Sequence, residues 1–223
     1  MKELFQFLKE LRENNSRDWF KINKKRYDAL FKTHVSVIQQ LINRIAMFDP
    51  EIAALDAKSC IYRIYRDIRF SNDKTPYKTF IGAYMTGFGG RTSSYGGYYL
   101  HIDPDNPLVS GGVWQPEAKL LKLLRWDIYN NIEEFISIIE NVKFNLTFGG
   151  LEGESLHRMP VGFPKDCPYE SILRRKSFIV TSVIPEELFY SEDWMDKVIE
   201  IFKLVYPFNR FLNYTVGEFL GKK

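Results

Sequence analysis

The chain has 223 residues, of which 45% are hydrophobic and 16% aromatic, enough apolar surface for a sizeable core and too much for a disordered chain. Its formal net charge of +3 is far from the strongly basic balance of a dedicated nucleic-acid binder. The two cysteines, Cys60 and Cys167, are far apart and form no CxxC, which supports neither a disulfide framework nor a zinc knuckle and suits a reducing compartment.

Leu4, Phe5, Leu8 and Leu11 recur at helical spacing, and Asn14-Asn15 closes that short helix. The residues Glu3, Glu10 and Glu13 rule out the apolar centre of a signal peptide, and charges interrupt every window of membrane-spanning length. A cytoplasmic protein with no membrane partner is therefore expected. Ser16 can cap a long second helix, whose stripe Phe20, Tyr27, Phe31, Val35, Ile38, Ile42 and Ile45 runs until Asp49-Pro50 stops it.

At Ile61 the period changes to two, which predicts a strand with Tyr62, Ile64, Ile68 and Phe70 buried on one face and Arg63, Tyr65, Asp67 and Arg69 on the other. SNDKTP then supplies a turn, YKTFIGAYMTGF a strand, GGRTSSYGG a loose hairpin loop, YYLHIDP a third strand and PLVSGG a fourth. Pro116 to Asn130 and Ile132 to Ile139 resume helical spacing, and Lys143 to Phe148 offers a further strand. LHRMPVGFPKDCP must be a loop, KSFIVTSVI reads as a strand, and Trp194 to Val205 forms a last helix that Pro207 is expected to end. The sum is one α+β domain over residues 1–223, an antiparallel meander sheet with helices packed on one face.

Five segments carry a family resemblance: NNSRDWFKINKKRY, RDIRFSNDKTPYKT, YYLHIDP, LHRMPVGFPKDCP and RRKSF. The sequence resembles the uncharacterised bacterial domain-of-unknown-function family 2461 over nearly its whole length, the second segment being the most specific. The resemblance implies a fold and no activity. Family members tend to read Asp-His-Pro where this chain has Asp166-Cys167-Pro168, so the resemblance implies that a thiol is not required there.

The chemistry is concentrated between Ile61 and Phe80, where five basic residues, Arg63, Arg66, Arg69, Lys74 and Lys78, face two acidic ones, Asp67 and Asp73. Guanidinium forks suit phosphate or carboxylate, so Arg63, Arg69, Lys74 and Lys78 are candidate donors to a small anionic ligand, joined by Arg158 from the proline-rich loop. The competing reading pairs Arg66 and Arg69 internally with Asp67, Asp73 or Asp103; Arg66, pointing into an apolar face, needs such a partner most. His101 and Asp103 alternate on one strand and are candidates for a base and its orienting carboxylate. Any chemistry is then expected to be hydrolysis or transfer, and nothing calls for a cofactor. His34, His101 and His157 show no metal-ligand spacing. The alternative is a non-catalytic module that binds nucleic acid or a protein through the same basic, aromatic stretch, or a structural subunit.

Overall fold

A computed structural model describes residues 1–164 and 166–221; Lys165, in the proline-rich loop, lies outside the described residues. Helix α1 (Lys2–Glu13) turns at Asn14 into α2 (Arg17–Ile45), whose first turn is capped by the Ser16 hydroxyl accepting from the Trp19 amide at 3.3 Å. The short α3 (Ala57–Cys60) leads into an irregular arm, residues 61–80. Beyond it come β1 (Ile81–Met85), β2 (Gly97–Ile102) and β3 (Leu108–Val113). Helices α4 (Ala118–Asn130), α5 (Ile132–Ile139), α6 (Val142–Phe148) and α7 (Glu170–Leu173) precede β4 (Phe178–Val183), and α8 (Trp194–Phe219) closes the chain.

The strands form one antiparallel sheet in the order β1-β2-β3-β4; β1 to β3 are the part of the expected meander that forms, and β4 returns beside β3 after helices α4 to α7. Period two then sorts the side chains. Ile81, Ala83, Met85, Tyr98, Leu100, Ile102, Val109 and Val180 point to one side and are buried there. Helix α8 crosses that side so closely that a Cβ on Gly111 would stand 2.1 Å from Val205 Cγ1, which only glycine permits. The other helices stack on α8 and α2, giving one continuous core. Among the described residues no helix is long and apolar enough to cross a membrane.

Three expectations need correction. Residues 61–70 are not a strand: only Ile61 and Tyr65 make isolated bridges, to Ala83 and Tyr77, and Phe70, expected to be buried, is 95% exposed. The arm runs past the edge where β1 begins, so no sheet lies beneath its far half, and Asp67 and Asp73 bond the backbone amides of Arg69 and Thr75 in place of a ladder. Residues 143–148 are helix, because Asn141 caps the amides of Lys143 and Phe144, and Phe144 and Phe148, four apart, meet at 4.8 Å on one buried face.

Nor does Pro207 end the last helix. Phe208, Phe211, Leu212 and Val216 continue its buried stripe, and that burial outweighs one lost backbone bond. The continuation matters for the sheet. Asn213 accepts from Gly96 N at 2.6 Å and donates to Gly96 O at 3.0 Å, and Asn209 donates to Gly97 O at 3.0 Å, fixing the start of β2.

Candidate functional site

The face of the sheet away from α8 carries the polar set. The register aligns Tyr84, Tyr99, Ser110 and Thr181 in one row across the strands, and Gly82, His101, Leu108 and Val183 in the next. The Tyr99 ring lies over Gly82, where an added Cβ would be 2.5 Å from its hydroxyl, so glycine is what lets the ring lie down.

The arm brings its residues onto this face. Asn15, at the junction of α1 and α2, donates to the Tyr77 carbonyl at 2.9 Å and accepts from its amide at 3.1 Å, while Phe20 stacks on the Tyr77 ring at 4.0 Å. Backbone bonds from Tyr62 N to Gly82 O, Lys78 N to Ile64 O and Arg66 N to Pro76 O close the arm as an irregular antiparallel pair. Tyr62 therefore meets Tyr99 edge-on at 6.4 Å, and Phe80 packs against the His101 ring at 4.5 Å. The Lys78 ammonium stands 5.5 Å from the Tyr62 ring centre and 5.6 Å from that of Phe80.

His101 and Asp103 do stand together. His101 Nδ1 is 2.8 Å from the Tyr99 hydroxyl, and Nε2 is 3.5 Å from Asp103 Oδ2. With Nε2–H facing the carboxylate, Nδ1 accepts the phenol proton. Asp103 is held by Arg12 Nη2 at 3.1 Å and by the Asp105 amide at 2.9 Å. Burial pushes His101 below its ordinary value against the pull of Asp103, so it is neutral at pH 7, and burial pushes Tyr99 well up, so it stays a phenol.

The five cations of the arm divide into two groups. Arg66 bonds Asp73 and Thr75, and Arg69 grips Asp67 through Nε at 2.9 Å and Nη2 at 2.6 Å. Lys74 donates to the Ile68 carbonyl at 3.0 Å. Asp73 is held down at about 2, first by the Thr75 amide and then by Arg66. These three cations, two of them candidate ligand donors, are engaged in holding the tip of the arm. Arg63 and Lys78 make no hydrogen bond or ion pair to a carboxylate among the described residues, although the charge of Arg63 helps Arg69 to lower Asp67. Burial, then the charge of Arg63, pulls Lys78 below its ordinary value.

Arg158 is placed elsewhere. Its exposed loop is tied to the β4 side by Leu156 N to Arg174 O at 2.8 Å, while the arm joins β1. Three strand spacings, roughly 14 Å, separate those edges. Cys167 is buried and His157 exposed, with no contact between them among the described residues. Nor does any group of three or more His, Cys, Asp or Glu there suit a metal ion.

Sequence reasoning missed the aromatic wall of Tyr62, Phe80 and Tyr99. Tyr99 shares strand parity with His101, a signal the sequence carries, whereas Tyr62 falls on the buried face only of a strand that does not form.

The pattern of the conserved hypothetical protein family DUF2461 matches residues 3–211. The chain belongs to that family. As a DUF2461 protein it inherits no assigned activity, and comparison with curated proteins and with solved structures gives no match. The match takes in both the arm and the open face of the sheet.

Proposed function

We propose that this DUF2461 protein binds a small phosphorylated or carboxylated ligand on the open sheet face, with Arg63 and Lys78 as anion donors and Tyr62, Phe80 and Tyr99 as the wall. One observation carries the reading. Of the arm's five cations these two alone make no hydrogen bond or ion pair to a carboxylate or carbonyl among the described residues, Asp67 being gripped by Arg69 and felt by Arg63 only at longer range, and they stand close enough for Arg63 to depress Lys78. Two like charges held together on an aromatic face are stabilised by an anion between them. Where the ligand reacts, His101 backed by Asp103 is the natural base, acting through or in exchange for its bond to Tyr99, and hydrolysis or transfer is the matching chemistry. The unbridged thiols of Cys60 and Cys167 favour a cytoplasmic setting for it.

Thermal melts in Hepes with inorganic phosphate, pyrophosphate, AMP or citrate test this. A ligand at ten times its Kd adds about 1.4 kcal/mol, which moves Tm by about 4 °C in a domain of this size. Lys78→Met and Arg63→Ala should reduce that shift and Arg69→Ala should not. An equal shift in the parent and in Lys78→Met, for every anion, sinks the reading. Affinity for single-stranded nucleic acid that collapses steeply with salt would favour the non-catalytic alternative instead.

A further inference from the structure

A second cationic group lies at the β4 edge, away from the open face. Arg125, on α4, is only 7% exposed, yet among the described residues its guanidinium makes a single hydrogen bond, from Nη2 to the Arg175 carbonyl at 2.8 Å. Its Nε is buried without a partner, and no carboxylate among the described residues pairs with it. Two acids of the adjoining segments are already taken, Glu170 by Arg174 at 3.0 Å and Glu154 by Lys176 at 2.7 Å. Arg175 itself is left with the Gly153 carbonyl at 2.8 Å. Arg158 follows two residues after Leu156, whose carbonyl accepts from Arg174 Nε at 2.5 Å. The loop that carries it is seated on α4 by Phe163, packed on Trp126 at 4.6 Å and on Tyr129 at 5.5 Å.

A guanidinium cannot shed its proton in a protein, so burial alone does not relieve the cost of its charge. A buried charge with no counter-ion inside the chain is among the least favourable arrangements, and an unbranched apolar side chain would fill the same space without that cost. We infer that Arg125 is the floor of a second anion site, one that takes an oxyanion, phosphate or carboxylate, from outside the chain, with the Arg158 loop at its rim. The site is separate from the proposed site at Arg63 and Lys78, and it gives the proline-rich loop and Arg158 a ligand of their own.

The test uses the full-length protein in Hepes without added oxyanions. Parent, Arg63→Ala and Arg125→Met are melted with increasing inorganic phosphate, and separately with acetate. Arg125→Met should melt at or above the parent in the anion-free buffer, because it removes an uncompensated charge. It should also lose a component of the phosphate-dependent rise in Tm that Arg63→Ala retains. A rise with phosphate alone assigns the site to phosphate, and a rise with both anions assigns it to oxyanions generally. An unchanged phosphate increment in Arg125→Met overturns the inference, as does no increment in any of the three proteins. Should Arg125→Met fail to fold, crystals of the unaltered protein soaked in tungstate decide. An anomalous peak within hydrogen-bond reach of the Arg125 guanidinium supports the site, and none there overturns it.

Discussion

His34 lies in the buried stripe of α2, 1% exposed, with neither ring nitrogen hydrogen-bonded among the described residues. Burial, assisted by the N-terminal ammonium, lowers it from 6.5 to about 4. The unfolded chain therefore binds a proton that the folded chain refuses, so the neutral ring's contribution is fully present above pH 6.5. It is lost as pH falls through that value toward 4. A gap of about 2.5 units at about 1.4 kcal/mol each sets the loss at about 3–4 kcal/mol, a large share of an ordinary folding free energy. His34→Leu removes the titration and the two unsatisfied nitrogens together, so it should be no less stable at pH 7.5 and should lose much less on acidification. Urea melts of both proteins at pH 7.5, 6.5, 5.5 and 4.5 give the comparison, and the difference between them cancels the carboxylates that also titrate. Parallel losses in parent and variant would refute the reasoning, because the histidine would then be protonated alike in both states.

Other outcomes follow from the packing. Gly111→Ala forces a methyl into Val205 and should cost about 1–3 kcal/mol in a urea melt; a smaller loss would mean that α8 moves aside freely. Arg66→Ala should lower the urea midpoint clearly, since it releases Asp73, Thr75 and Ser71 at once, while Arg69→Ala, whose pair with Asp67 is largely exposed, should leave it within error. The reverse ranking would contradict the division of the arm drawn above. Cys167→Ser should keep the fold by circular dichroism and any ligand response by Tm, at a cost of about 1 kcal/mol for burying a hydroxyl.

Much of the fold was legible because its signals are local. The Ser16 cap, the α2 stripe and the alternation in YYLHIDP each concern a handful of neighbours, and the elements they predict form where expected. The failures needed distant information. The alternation of IYRIYRDIRF is real, but a strand also needs a neighbour, and β1 begins too late to supply one beneath Ile68 and Phe70. Pro207 breaks a helix when little holds the turns beyond it, and here Phe208, Leu212 and Asn213 hold them against the sheet.

The site divides in the same way. His101 and Asp103 share a face by strand parity alone, so their pairing could be read from two residues of spacing. The five cations of the arm look equivalent in the sequence, and which of them pair is decided by the tip: Asp73 takes the Thr75 amide and hydroxyl, which turns the chain so that Arg66 reaches back to it, and Asp67 is then left to Arg69. With both local acids used, Arg63 and Lys78 are left without a hydrogen-bonded acid on their own segment, and only the docking of Tyr77 onto Asn15 and Phe20 brings Lys78 over Tyr62 and Phe80. Counting charges therefore located the right segment and not the right pair, because a cation left over is defined by what every other side chain has already bound.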